Sequence, residues 1–284
     1  MTERVGLIGD PVALSLSPRI QAAALEATGL DWEYQLVSVG RGQLASRWDE
    51  LRSRFLGLNV TIPIKEEAAR LATRLSSGAN RCGSVNTLTF TASEAIGDST
   101  DGPGFMAALA GGGLATPQHA VVLGTGGSAR AVVAALAEQG VEVEVLGRNA
   151  AVGGRLAQDL SRSGLGGVRF SELDPERLTA ALAGADLLAN ATPVGGAATP
   201  LESPVPESVR LDRDLVVFDL VYRPRQTPLL RRAAGLGCRV VEGVEMLVEQ
   251  GALSFECWTG RRAPVGEMRQ AAYLALAELD AVAT

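Results

Sequence analysis

Ala120-Val121-Val122-Leu123 runs without a break into Gly124-Thr125-Gly126-Gly127-Ser128-Ala129-Arg130, and an alanine-rich segment follows. The short apolar run reads as a strand, the alanine-rich stretch as a helix, and the glycines lie between them. Gly124, Gly126 and Ala129 satisfy G-x-G-x-x-G/A. In that pattern the first glycine allows a tight turn and the second lets the backbone approach a pyrophosphate. The small third residue lets helix and strand pack closely. Unpaired N–H groups at the helix start then favour an anion. Taken alone the pattern is weak, because a plain glycine turn looks the same. Its place between a strand and a helix, with a second strand beyond, makes Gly124, Thr125, Gly126, Gly127 and Ser128 a dinucleotide site.

Working outward, the downstream order is regular. Strand 120–123 leads to helix 128–139, strand 141–146, helix 150–162, strand 168–170 and helix 174–183. Strands 186–190 and 215–220 follow, with a proline-rich loop over 197–206 and two final helices near 244–258 and 266–281. Upstream, 5–8, 32–39 and 58–61 read as strands. Residues 18–28 read as a helix with Ser17 as N-cap, Pro18 at N1 and Gly29 just past its end. A second helix covers 43–55, and another follows Pro63. Small, polar and glycine residues over 98–104, then Gly111-Gly112-Gly113 and Thr116-Pro117, mark a boundary. Alternation of short strands and longer helices predicts an α/β protein with parallel sheets. Two domains are expected: a substrate-binding catalytic domain over 1–103, to which 244–284 return, and a Rossmann-type dinucleotide-binding domain over 104–243.

The end of the second strand selects the dinucleotide. Glu144 lies near the usual place of an NAD-binding acid. Yet Val141, Val143 and Val145 alternate with Glu142 and Glu144, so both acids read as solvent-facing. The chain leaves that strand through Leu146-Gly147-Arg148-Asn149, and an arginine there suits the 2′-phosphate of NADP. The alternative is a solvated loop arginine.

Composition excludes several other classes. The chain has 284 residues, 46% of them hydrophobic and 20% charged, enough apolar content for a substantial core and too much for disorder. A net charge of −6 gives no basic footprint for nucleic acid. No apolar run approaches the roughly 20 residues of a membrane span. The N-terminus lacks the order of a signal peptide, so a cytoplasmic location is expected. Cys82, Cys238 and Cys257 are scattered and form no CxxC pair. The single histidine, His119, leaves no His-based triad or multi-histidine metal site, so a proton donor must come from another residue type.

Lys65 stands just past a strand end in Gly57-Leu58-Asn59-Val60-Thr61-Ile62-Pro63-Ile64-Lys65. Pro63 cannot continue a central strand, so Asn59, Thr61 and Lys65 lie where a sheet edge opens into a crevice. Further polar clusters are Gly83-Ser84-Val85-Asn86-Thr87 and Ser99-Thr100-Asp101-Gly102. These motifs resemble those of the shikimate dehydrogenase family over nearly the whole chain. Ser15-Leu16-Ser17-Pro18 is similar to its SxSP segment, residues 59–65 to its NVTxPxK motif, Val85-Asn86-Thr87 to VNT, and Thr100-Asp101-Gly102 to TDG. Residues 124–130 are similar to its GxGGxxR loop. Asn190-Ala191-Thr192-Pro193-Val194-Gly195, Asp219-Leu220-Val221-Tyr222-Arg223-Pro224 and residues 243–250 also match.

The resemblance implies NADP-linked interconversion of 3-dehydroshikimate and shikimate, with Lys65 and Asp101 as the catalytic pair. It implies that Ser15, Ser17, Asn59, Thr61, Asn86, Tyr222 and Gln250 hold substrate. The cofactor would be held by the glycine loop with Arg148, Asn149, Thr192, Leu220 and Gly243. It implies small-molecule partners only and a monomer or homodimer. Five positions depart from the family pattern: Leu14 and Gln21 where histidine is usual, Ser99 in place of Asn in NTD, and Gly147 and Asn149 in place of Asn and Thr in NRT. The readings that compete are a quinate/shikimate dehydrogenase with relaxed NAD/NADP use, and a non-catalytic dinucleotide-binding paralogue. Retention of both Lys65 and Asp101 argues against the latter.

Overall fold

A computed structural model describes residues 2–282. The chain forms two compact units. The described residues up to Gly104, with those from Leu247 on, make the first; Phe105–Met246 make the second.

In the first unit β1 (Glu3–Gly9), β2 (Trp32–Ser38) and β3 (Gly57–Val60) alternate with α1 (Ser17–Thr28) and α2 (Leu44–Arg54). Then come α3 (Lys65–Leu71), β4 (Arg74–Leu75), α4 (Ser77–Cys82), β5 (Thr87–Phe90) and β6 (Ala95–Asp98). The strand order is β2-β1-β3-β5-β6-β4. The α/β expectation holds, but this sheet is mixed: β5 runs antiparallel to both β3 and β6. The hairpin that causes this turns through Thr91–Glu94, where Thr91 N donates to Glu94 O at 2.9 Å and Glu94 N to Thr91 Oγ1 at 3.0 Å. Thr-Ala-Ser-Glu contains no Gly, Pro or Asn, so the turn carries only the weaker signals of Thr91 and Ser93.

The start of α1 also differs from expectation. Leu16 is the N-cap residue and Ser17 is already helical, with no side-chain cap. Ser15 Oγ, two residues back, accepts from Ser17 N at 3.2 Å. Gly29, in the left-handed region at φ 65°, ends the helix as expected.

The second unit follows α5 (Asp101–Gly111), which begins in the first. It contains β7 (His119–Leu123), α6 (Gly127–Glu138), β8 (Glu142–Gly147), α7 (Ala150–Arg162), β9 (Val168–Glu172) and α8 (Pro175–Leu182). Beyond these are β10 (Leu187–Asn190), β11 (Val216–Asp219), α9 (Pro228–Gly235) and β12 (Arg239–Glu242). The sheet is wholly parallel, in the order β12-β11-β10-β7-β8-β9, and Val121, Leu123, Leu188 and Val217 are buried on it. The order reverses between β7 and β10, which is where open α/β sheets leave a crevice at their carboxyl ends. Neither α9 nor β12 was expected, although Thr227-Pro228 is a helix-start signal: Thr227 Oγ1 accepts from Leu230 N at 3.2 Å. Finally α10 (Gly243–Thr259) and α11 (Val265–Val282) return the chain to the first unit, where α11 packs along α1.

Glu144 is a further correction. Its side chain is only 15% exposed, because Arg169 Nε donates to it at 3.1 Å and Ser171 Oγ at 2.7 Å, both from β9. Glu142 is exposed as expected.

Candidate active site

The unexpected hairpin builds the first site. β3 ends at Val60 on one edge of the sheet. Because β5 is antiparallel, its start lies on that same edge, and so does the end of β6, where Asp98 is in register with Thr87. Three segments therefore meet there: 61–65 after β3, 84–86 before β5 and 99–101 after β6. Lys65 opens α3 and Asp101 opens α5. Lys65 Nζ donates to Asp101 Oδ2, and the two side chains are 9% and 6% exposed. A desolvated pair of this kind is held by mutual attraction, so removing one partner strands the other.

The second oxygen of Asp101 is also engaged: Asn86 Nδ2 donates to Oδ1 at 2.8 Å. The orientation of Asn86 is fixed from behind, since its Oδ1 accepts from Thr100 N at 2.7 Å. Asn86 Nδ2 also lies 3.1 Å from Gln250 Oε1 on α10. Gln250 is brought this close because α5 packs tightly on α10 at Gly104. A Cβ there would stand 2.7 Å from Gln250 N and 2.8 Å from its Cβ.

Asn59 points into a different set of contacts. Its Oδ1 accepts from Tyr34 OH at 2.8 Å, and its Nδ2 donates to Ser254 Oγ at 2.9 Å. Ser254 is fully buried and also meets Thr87 Oγ1 at 2.7 Å and Thr100 Oγ1 at 3.2 Å. One helix face of α10 thus presents Gln250, Ser254 and Trp258 at i, i+4 and i+8; Trp258 Nε1 donates to Leu88 O at 3.0 Å.

Ser15 and Ser17 lie at the start of α1, with Ser15 Oγ donating to Ser17 Oγ at 3.1 Å. Their loop leaves β1, and Thr61 leaves the adjacent β3, so both rise from neighbouring strand ends. Gln21, one of the departures, is buried and ties α1 to α10 by donating from Nε2 to Gly251 O at 2.8 Å. Ser99, another, is buried with no partner for its hydroxyl.

The second unit holds the glycine loop at the β7/β10 crevice. Gly124 has φ +113°, and a Cβ there would lie 2.9 Å from Ala191 O. Only glycine allows that turn. At Gly126, the N-cap of α6, a Cβ would meet nothing within 4 Å, so open space faces the loop. The first turn of α6 has no acidic residue and no side-chain cap. Open space beside an uncapped helix start fits a dinucleotide pyrophosphate. Arg130 of the same helix is buried and bonds Asp159 of α7 at 2.8 Å, fixing the two helices together.

Arg148 is exposed immediately past β8 and has no ion-pair partner among the described residues. Asn149 caps α7, accepting from Val152 N at 3.1 Å. Gly147 is explained sterically: a Cβ there would come within 2.7 Å of Thr125 Cγ2. Thr192 Oγ1 donates to Asn190 Oδ1 at 2.7 Å, Leu220 follows β11, Gly243 opens α10, and Tyr222 is half-buried.

Of the expected site residues, the pair Lys65 and Asp101 is joined in a chain of contacts to Asn86 and Gln250, Asn59 joins them through Ser254, and Ser15, Ser17 and Thr61 rise from adjoining strand ends. Tyr222 belongs to the second unit. Thr87 and Thr100 stood in the quoted motifs without a role of their own, and the residues that sequence reasoning passed over are Ser254 and Gly104. Ser254 had a signal, its i+4 spacing from Gln250.

Comparison with known proteins bears on both sites. Residues 7–88 match the shikimate dehydrogenase substrate binding domain, and residues 243–273 match the shikimate 5′-dehydrogenase C-terminal domain. A shikimate dehydrogenase (NADP(+)) of Methanopyrus kandleri is 41% identical over 95% of this chain and 94% of its own length. Shikimate 5-dehydrogenase of Thermus thermophilus, solved with NADP(H) and shikimate, superposes with a TM-score of 0.85. It is 38% identical, and the alignment covers 97% of this chain and 100% of that one. A quinate dehydrogenase of Corynebacterium glutamicum, solved with NAD, gives a TM-score of 0.86 at 32% identity, over 97% of this chain and 99% of that one.

Proposed function

Since the chain belongs to the shikimate dehydrogenase family, we infer that it catalyses the reversible, NADP-dependent reduction of 3-dehydroshikimate to shikimate, an oxidoreductase step toward chorismate and the aromatic amino acids. The observation that carries the reading is the buried Lys65–Asp101 pair with Asn86 on the second carboxylate oxygen. In the proposed assignment residues 1–103 with 244–284 bind substrate and residues 104–243 bind NADP.

Reducing the ketone needs hydride on carbon and a proton on oxygen. Bound NADPH supplies the hydride. Lys65 Nζ gives the proton to the carbonyl oxygen and takes it back from the hydroxyl in the reverse direction. Asp101 holds the ammonium in place and orients the neighbouring hydroxyl. The dipole at the start of α1, with the Ser15 and Ser17 hydroxyls, receives the substrate carboxylate. Thr61, Asn86, Gln250 and Tyr222 contact the ring hydroxyls. Asn59 serves by holding Ser254 and the backbone carbonyl of Asn86, which it reaches at 3.4 Å.

Thr125, Gly127, Ser128, Thr192, Leu220 and Gly243 line the cofactor crevice with Gly124 and Gly126, and Arg148 and Asn149 take the 2′-phosphate. The protein works in the cytoplasm as a monomer or homodimer; its three cysteines are free, as suits a reducing compartment.

The test is NADPH absorbance with shikimate and NADP, beside Lys65→Ala. The variant should lose about 10²–10⁴-fold in kcat, the usual worth of a positioned acid/base group. Near-full kcat in Lys65→Ala would remove Lys65 from the chemistry. Quinate, with an extra hydroxyl on the carboxylate carbon, crowds the serine pair and should show the lower kcat/KM; equal values would favour a quinate/shikimate enzyme.

A further inference from the structure

Asn190, Asp219 and Thr227 are all fully buried, and none has a part in the site as described so far beyond the bond from Thr192 to Asn190. They form one hydrogen-bonded cluster at the carboxyl ends of β10 and β11. Asp219 Oδ1 accepts from Asn190 Nδ2 at 2.8 Å and from Val221 N at 3.0 Å; Oδ2 accepts from Thr227 Oγ1 at 2.7 Å. Burial raises its pKa from the ordinary 3.8 to about 6, and the three hydrogen bonds oppose that rise.

We propose that Asp219 is a positioning residue for the dinucleotide site, clamping together the two loops that border the cofactor crevice. This rests on the NADP reading above. The first loop, 191–196, starts where β10 ends, beside the glycine loop: Asn190 is in register with Leu123, and Ala191 O lies against Gly124. Asn190 Oδ1 accepts from Thr192 N at 3.0 Å and Thr192 Oγ1 at 2.7 Å, and its Nδ2 also reaches Val194 O at 3.2 Å. The second loop, 220–227, starts where β11 ends and carries Leu220. It is tied at one end through Val221 N and at the other through Thr227, which also caps α9.

Asp219 is the one member of the cluster that, when ionised, can only accept. That fixes the sense of every bond around it. Thr227 must turn its hydrogen inward, leaving its lone pair for Leu230 N. Asn190 must turn its NH2 toward Asp219, leaving its oxygen for Thr192. The orientation of Thr192 at the crevice therefore originates in the Asp219 carboxylate, acting through Asn190. A carboxamide at 219 presents hydrogens to one of these donors, and the fixed sense is lost.

The experiment is a fluorescence titration of NADPH into wild type, Asp219→Asn and Thr227→Val at neutral pH, with shikimate binding and thermal stability measured on the same samples. Thr227→Val keeps the carboxylate and near-identical volume, and covers the case in which Asp219→Asn fails to fold. The expected result is NADPH affinity about ten- to a hundredfold weaker in Asp219→Asn, the usual weight of hydrogen bonds to a charged group. A smaller loss is expected in Thr227→Val, with shikimate affinity unchanged and no matching fall in thermal stability. NADPH binding within twofold of wild type in the folded variants overturns the proposal. So does a loss of affinity that merely follows a loss of stability. A wild type that binds no NADPH would instead refute the cofactor reading itself.

Discussion

Replacing Asp219 by asparagine should change how the protein's stability depends on pH, in a direction opposite to that of most carboxylates. The folded protein holds this carboxyl at about 6 against an ordinary 3.8. A rise of roughly two pH units, at ~1.4 kcal/mol each, corresponds to ~3 kcal/mol. Between about pH 4 and pH 6 the native state binds more protons at this position than the unfolded chain, so stability falls as pH rises through that window. The contribution is fully present below the ordinary value and lost above about 6. At neutral pH the ionised carboxylate therefore costs the fold ~3 kcal/mol. Asparagine carries no charge and is exempt, although losing the acceptor for Thr227 costs about 1–2 kcal/mol. The difference between variant and wild type should thus swing by ~3 kcal/mol in favour of the variant as pH goes from about 4 to 7.

The assay is urea denaturation across that range. Trp32, Trp48 and Trp258, the three tryptophans of the chain, all lie in the first unit, so their fluorescence does not report on Asp219. Far-UV circular dichroism, or hydrogen exchange of second-unit peptides, is the proper probe. Parallel stability–pH curves for the two proteins would refute the argument, because a carboxyl that titrates at the same pH in the folded and unfolded chain gives no such swing.

Two further outcomes are expected. Arg148→Ala should weaken NADP about ten- to a hundredfold, the weight of a charge-assisted bond, and leave NAD almost untouched; titration of both cofactors at matched salt checks this, and an equal loss of both would show that Arg148 does not read the phosphate. Gly104→Ala places a methyl group 2.7 Å from Gln250 N, so α5 and α10 must move apart; overpacking of this kind costs about 1–3 kcal/mol, and thermal denaturation together with the KM for shikimate should register it.

Local chemistry was legible in the sequence wherever a motif is short and contiguous. The glycine loop, Lys65 at a strand end and Arg148 after β8 are each placed by a few neighbouring residues. The hairpin over 87–98 was not, because its turn lacks the Gly, Pro or Asn that mark turns most strongly and its strands are four residues each. Missing it concealed why Asn86 and Asp101 meet Lys65, since only an antiparallel strand brings those segments to one edge. Ser17 shows the same limit on a smaller scale: Ser-Pro marks a helix start, but which serine supplies the oxygen depends on the turn before it. Asn190 and Asp219 were visible as parts of motifs, yet their contact follows from strand register, which no local pattern carries. Ser254 stands nearly two hundred residues from Asn59, and Gln250 almost as far from Asn86, so their meeting is a property of topology alone.

The first unit is interrupted in sequence. Its sheet is finished by Gly104, but Gln250 and Ser254 arrive on a helix that joins it only from Leu247 on. During synthesis, at ~5–20 residues per second, the sheet waits roughly 7 to 30 s for the intervening stretch of about 140 residues. Throughout that interval the Lys65–Asp101 edge exists without its helix, and Asn59, Thr87 and Thr100 face water where Ser254 belongs. A ribosome-bound or prematurely ended chain therefore carries the Lys65–Asp101 pair but not the α10 face that covers this edge. On the proposed assignment, completion of this site is thus tied to translation reaching the last helices.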